Sequence, residues 1–437
     1  MPTAVVPQGG TGLQGEPSPL VLRGLIYWSA VGGFLLIAAS LMAPIILLGS
    51  VIAPLLVCDR KALMAELQKI NPLTVVLAIA AVYLTINATW SLDKKSATVS
   101  VATLYAIVVV TRVCASAVAV TDERYLRAMR MGAVIGVALG AAFLCFEYAT
   151  NLSIQRSLQR IQDIAGLRLV RINVSDAKQG VFTFVLNRNL VALVILVWIV
   201  GLIQLRLDTS TTGRRLAAAL FAIVALSAAL SPSASAKLGF LAGGAVLAVH
   251  FFALRFARVL LTSAWCALCL FALPIADRLY AWKLYDASWL PNSARHRIVI
   301  WGATSDWYWK TPWFGSGVGS ARGLPALDPQ HRVGDHNLQN SALNWHAHNA
   351  YLQAWFEAGL MGALLLLVLG LLVLREIYRA PGEDQKFLAA AFASAMAAAS
   401  TAFSLWAAWF LAVFGVAVVF SAMTGPSRKE YAQSGRG

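Results

Sequence analysis

Five of the six histidines fall between residues 296 and 348: His296, His331, His336, His346 and His348. The densest string is Trp345-His346-Ala347-His348-Asn349, followed by Tyr351-Leu352-Gln353 and then by Glu357. Imidazole titrates near pH 6.5, so histidine suits proton abstraction near neutrality. His348 is the candidate general base. A single interfacial histidine is ordinarily a hydrogen-bonded structural residue, but the polar company of His348 tips the reading towards function. Asn349, Gln353 and Glu357 recur every fourth position and form one polar stripe if the segment is helical. At 1.5 Å per residue, Glu357 lies roughly 13 Å below His348. An ionisable residue at that depth faces a cavity or a partner, not lipid. Asp335, His336, His346 and His348 form a competing metal-ligand set. Their spacing is not a zinc signature, so neither metal nor cofactor is expected.

Candidate anion ligands lie elsewhere. Arg188 stands between Asn187 and Asn189 at the start of an apolar run, and guanidinium matches phosphate oxygens in pairs. Lys237 follows the short turn Ser231-Pro232-Ser233-Ala234-Ser235-Ala236. For Arg188 the anion reading is preferred to a side chain snorkelling to the interface, and for Lys237 the two readings stand level. Arg295-His296-Arg297 precedes Ile300-Trp301, and Pro312-Trp313-Phe314-Gly315-Ser316-Gly317-Val318-Gly319 comes next. Those glycines form either a plain turn or a backbone nest for phosphate. Seven of the fourteen tryptophans lie in 282–345. They are suited to anchoring at a bilayer interface or to stacking on sugar rings or lipid.

The elements that position these residues are membrane spans. Hydrophobic types make up 59% of the 437 residues and charged types only 13%, against about a quarter in soluble domains. That excludes an ordinary soluble enzyme, a disordered chain and a disulfide scaffold. Apolar runs predict twelve helices: 24–40 and 43–58 (divided at Pro44), 72–88, 97–117, 128–149, 189–205, 216–231, 238–254, 259–279, 350–374, 387–403 and 405–423. The fold class is therefore an all-α polytopic membrane protein. The five cysteines lie in or beside these runs. Cys266 and Cys269 read as packing residues, and no disulfide is expected.

Orientation follows from Lys and Arg in the short loops. Nineteen of the 35 basic residues collect on one side, which is therefore cytoplasmic, and three lie in short turns opposite. Thirteen lie in or beside two long outer segments, about 150–188 and 278–347. The organisation expected is a cytoplasmic disordered tail 1–23 and helices one to nine over 24–279, with the outer segment 150–188 among them. A large outer loop 280–347 (periplasmic on the resemblance given below), helices ten to twelve over 348–424 and a cytoplasmic tail 425–437 complete it. Residues 154–169 read as an amphipathic helix along the membrane surface or packed on the outer segment. The net charge of +15 suits anionic headgroups or phosphorylated substrates.

Together these strings resemble the O-antigen ligase and polymerase superfamily of bacterial envelope enzymes. The family pattern of His, then Asn, Ser or Gln, nine residues and Gly-x-x-Gly reads here as His348-Asn349, residues 350–358 and Gly359-Leu360-Met361-Gly362. Arg297, Trp301, Pro312, Gly315 and Gly317 match its upstream run, whereas Lys237 stands where relatives often carry Arg. The resemblance implies a metal-independent C-type glycosyltransferase, multi-pass in the Gram-negative inner membrane. Its active site would face the periplasm and both termini the cytoplasm. The implied donor is a glycan on undecaprenyl pyrophosphate and the implied acceptor lipid A–core oligosaccharide, in lipopolysaccharide biosynthesis. The partners are these and membrane lipids, with no nucleic acid. His348 would act as base in an inverting displacement. Arg188 and Arg297, then Arg295 and Lys237, would hold pyrophosphate, with His346, Asn349 and Glu357 in support. A polymerase, a protein O-oligosaccharyltransferase of the same superfamily and, more distantly, a transporter of lipid-linked glycan are the alternatives.

Overall fold

The structure is a computed structural model that describes residues 17–164, 186–322, 332–333, 336–337, 346–401 and 403–425. The protein is a nearly all-helical polytopic membrane protein. Its helices are α1 (Pro19–Ala38), α2 (Ala43–Ser50), α3 (Ile52–Val57), α4 (Arg60–Leu67), α5 (Pro72–Asn87), α6 (Lys94–Ala119), α7 (Glu123–Ala149) and α8 (Ser153–Ile164). They continue with α9 (Asn187–Leu207), α10 (Thr211–Leu230), α11 (Ala234–Phe252), α12 (Leu254–Ala281), α13 (Asn292–Tyr308), α14 (Ala350–Arg379), α15 (Gly382–Thr401) and α16 (Ala408–Thr424). The strand ladder among the described residues is minimal, pairing Arg332–Val333 with His336–Asn337.

Among the described residues, 10 helical stretches are long and apolar enough to cross a membrane. They coincide with the first ten predicted runs. The last two runs also fold as helices, α15 and α16, the second apolar but only 17 residues long. α1 starts at Pro19, inside the segment assigned above to a tail, because Ser18 caps it and Pro19 occupies the first turn. The chain leaves α1 at Ala39 (φ −141°, ψ 57°). Pro44 is therefore not the divider; it sits in the first turn of α2, where its missing N–H costs nothing.

α9 is the axis of the bundle. Its residues from Asn189 to Gln204 are all buried, as a helix apolar on every side must be. It packs against α1, α7, α10, α11, α15 and α16. Trp198 Nε1 donates to Ser394 Oγ (2.7 Å), which donates to the Gly239 carbonyl (2.8 Å), so α9, α15 and α11 share one buried link. α14 is fastened to α12 by Trp355 Nε1 on the Cys269 carbonyl (2.7 Å) and by Trp265 Nε1 on the Leu367 carbonyl (3.0 Å). α13 packs on both, and Ser305 Oγ donates to Asp277. The five cysteines are free thiols.

The predicted surface helix forms as α8, and residues 165–169 lie outside the described residues. Its start is set by Asn151 (φ 54°) and Leu152 (φ 63°), which turn the chain after α7. The buried Glu147 carboxylate accepts the backbone N–H groups of Ile154 (2.9 Å) and Gln155 (3.2 Å), satisfying two donors at the helix start.

Candidate active site

α14 begins at the densest histidine string because Asn349 is a strong N-cap. Its Oδ1 accepts the N–H groups of Tyr351 (3.0 Å) and Leu352 (3.1 Å). This accounts for the amide after His348. Serine would serve there too, since its hydroxyl caps helices equally well. Asn349→Ala is expected to lower stability by about 1 kcal/mol, and Asn349→Ser to restore most of it. Thermal unfolding in detergent would measure both.

Just before the cap, His348 adopts φ 51°, a left-handed conformation uncommon outside glycine. Two contacts hold it there. Trp301 Nε1, from α13, donates to the Ala347 carbonyl (2.8 Å). The His348 backbone N–H donates to His346 Nδ1 (3.0 Å). The two imidazoles lie side by side with centroids 4.0 Å apart. Burial, then the neighbouring His348, Arg322 and Arg297, push the His346 pKa down to about 3. With Nδ1 accepting, His346 is neutral and carries its proton on Nε2. It positions the backbone of His348 and is no acid near neutrality. Strain retained at a half-buried titratable residue is the kind that clusters at functional sites.

Glu357 is fully buried two turns into α14. The partner expected for it is a loop. Its oxygens accept the N–H groups of Gly319 (2.9 Å) and Ala321 (3.1 Å), and Trp406 Nε1 also donates to it. Gln353, one turn above, donates to Ser404 Oγ (3.1 Å) and accepts the Leu405 N–H (2.9 Å). The polar stripe is thus bound into protein.

The glycine run closes against a break in α14. Gly359 has φ 65° and ψ −166°, which interrupts the helix. The backbone groups freed there are met by the run: Leu360 N–H reaches the Pro312 carbonyl (2.9 Å), and the N–H groups of Ser316 and Gly317 reach the carbonyls of Phe356 (3.0 Å) and Glu357 (2.9 Å). From α5, Asn87 Nδ2 donates to the Phe314 carbonyl (2.7 Å) and its Oδ1 accepts the Val318 N–H (2.8 Å). Tyr83, Trp90 and Ser91 add bonds to the carbonyls of Phe314, Gly315 and Val318 in the same run. Of the two readings the nest is set aside: these amides are spent on protein acceptors, and the glycines turn into a clasp around the helix break.

Of the predicted cations, Arg297 is brought to the histidines. It is half-buried on α13, and burial lowers its pKa. Arg295 donates to Asn292 Oδ1 (2.5 Å), while its Nε is buried with no partner among the described residues. Arg188 and Lys237 are exposed in the first turns of α9 and α11. Neither side chain holds a hydrogen bond or ion pair with a described residue. Asn189 turns away to the α1 break, accepting from Ser40 (3.0 Å) and donating to the Ala38 carbonyl (2.7 Å). His331, Asp335 and Trp345 lie outside the described residues, as does the side chain of His336.

Residues 217–367 match the family described as O-antigen ligase. The match supports membership of the O-antigen ligase/polymerase superfamily. No curated protein matches the chain. The matched O-antigen ligase segment runs from α10 into α14 and contains Lys237, Arg295, Arg297, His346, His348, Asn349 and Glu357, whereas Arg188 precedes it. Also before it lie the clasp residues Tyr83, Asn87, Trp90 and Ser91, which sequence reading missed. Their only signal is a cluster of polar and aromatic types at the end of an apolar run. Arg322 was likewise visible only as one basic residue among many.

Proposed function

We propose that the protein transfers O-antigen glycan from undecaprenyl pyrophosphate to a sugar hydroxyl of lipid A–core oligosaccharide. The reaction takes place on the periplasmic face of the Gram-negative inner membrane, with both termini cytoplasmic. The observation that carries this reading is His348. It is a titratable side chain held in a left-handed conformation at the mouth of α14, beside a neutral His346 and the half-buried Arg297. In the proposed step His348 takes the proton of the acceptor hydroxyl as that oxygen bonds to the donor's anomeric carbon. The bond from that carbon to pyrophosphate breaks on the opposite side and inverts the centre. Undecaprenyl pyrophosphate leaves with growing negative charge, and cations fixed in advance stabilise it. Arg297 and Arg188 are the first candidates, Arg295 and Lys237 the next. The reading carries no metal.

A broken helix such as α14 is also a mark of transporters. Here the break is filled by backbone from the clasp, which favours a rigid site over a moving one. The test is purified protein reconstituted with lipid-linked glycan and three acceptors side by side: lipid A–core, a second lipid-linked glycan and a pilin. The expected result is glycan on lipid A–core, with release of undecaprenyl pyrophosphate and no loss of rate in EDTA. Extension of the second lipid-linked glycan would make it a polymerase, and modification of the pilin a protein glycosyltransferase. Loss in EDTA with recovery in zinc would sink the metal-free step.

A further inference from the structure

Arg322 ends the clasp as the last residue of the 3₁₀ turn Ser320–Arg322. Its backbone is fixed through the turn that leads to it. The preceding Ala321 N–H is bound to Glu357 and its own N–H to the Gly319 carbonyl (3.2 Å). Ser320 Oγ donates to the Ser316 carbonyl (2.6 Å). Ala321 is buried against Phe356 and Trp307. From this rigid base the guanidinium extends into an exposed position. The turn packs through Ala321 between Trp307 of α13, the helix that carries Arg297, and Phe356 of α14, the helix that His348 opens, and the charges of Arg322 and Arg297 both act on His346.

The charges here do not balance. Arg297 and Arg322 hold no ion pair with a described carboxylate. The carboxylate that anchors the clasp, Glu357, is already committed to three N–H donors. His346 is neutral. Two guanidiniums, one half-buried, thus stand at the α13–α14 junction without a counter-ion among the described residues. A half-buried charge is costly unless an opposite charge meets it, and guanidiniums favour phosphate oxygens.

We propose that Arg322, aimed by the Glu357-anchored clasp, joins Arg297 in gripping a phosphate or pyrophosphate group of a lipid substrate beside His348. This rests on the transferase reading above. It gives the clasp a role in binding: Glu357 sets where Arg322 stands without touching substrate.

The test uses the full chain in detergent, with undecaprenyl pyrophosphate and bis-phosphorylated lipid A as separate probes. Binding is compared for wild type, Arg322→Ala, Arg322→Lys, Arg297→Ala and, as a control for surface charge, Lys61→Ala. Arg322→Ala is expected to weaken one probe about tenfold, Arg322→Lys to recover part of that, and Lys61→Ala to change neither. Loss for undecaprenyl pyrophosphate assigns the clamp to the donor, and loss for lipid A to the acceptor. If Arg322→Ala misfolds, Arg322→Lys decides, because it keeps the charge and loses the paired donors. If Arg322 variants bind both probes as wild type does while Arg297→Ala is weakened, the Arg322 assignment is wrong and the transferase reading stands. If Arg297→Ala is also without effect and the wild type cleaves no donor, the transferase reading itself falls.

Discussion

His348→Ala is expected to lower glycan transfer by about 10²–10⁴-fold, the usual contribution of a positioned general base, while the protein folds and unfolds much as wild type. Alanine tolerates φ 51° no better than histidine does, and the anchors on either side are untouched. Trp301 still binds the Ala347 carbonyl and Asn349 still caps α14. Imidazole chemistry is what disappears. His348→Gln provides a second variant that retains hydrogen bonding without a group able to take the proton. Unchanged transfer in both variants would rule out the base assignment. The pH profile separates the paired histidines. His346, with its pKa near 3, stays neutral through the physiological range. A fall in rate between pH 7 and 5 therefore reports another group, and it should survive in His346→Asn. For stability the sign is opposite to that of a salt-bridged histidine. A folded pKa below the unfolded value near 6.5 means the unfolded chain binds the extra proton first. His346 thus destabilises the fold as pH drops from about 6.5 towards 3.

The spans and the histidine string were legible in the sequence for a common reason: both are local patterns. Hydropathy over some twenty residues marks a membrane helix wherever its neighbours lie. A capped helix start following His-Ala-His is written in consecutive letters. The partners of Glu357 are not local. Gly319 and Ala321 stand 38 and 36 residues before it and Trp406 stands 49 after it. Asn87 meets the glycine clasp from 227 residues upstream of Phe314. No periodicity connects such positions, so Glu357 showed that it needed a partner without showing which. The glycine run left a plain turn and a phosphate nest both open because a nest and a clasp need the same backbone freedom; only the acceptors opposite the amides distinguish them. Arg322 was hidden because its distinction lies in what holds it, and its residue type is common in the segment.

Gly359→Ala is expected to be strongly damaging, costing about 3 kcal/mol or more by adding backbone strain to overpacking. Two independent effects act together. The pair φ 65°, ψ −166° falls in a region open essentially to glycine alone. A Cβ at this position would also stand 2.5 Å from the Gly315 nitrogen and from the carbonyl carbon and oxygen of Trp313. Those are backbone atoms of the clasp, which cannot rotate aside as a side-chain tip can. The contact is reciprocal, since a Cβ on Gly315 would meet the backbone of Glu357 and Gly359 at 2.5 Å. Gly315 and Gly359, read above as parts of two separate motifs, are thus the two faces of one close approach. If the break closes up or the clasp lifts, Glu357 loses its N–H donors and Arg322 loses its fixed base. Transfer should then fail together with stability. Gly382→Ala is the matched control, because it opens α15 with nothing within 4 Å of the added carbon; its effect should stay within about 0.5 kcal/mol. Equal unfolding temperatures for the two variants would show that the clasp bears no strain at Gly359. A Gly359→Ala protein that is unstable yet transfers glycan at full rate would detach the clasp from the chemistry.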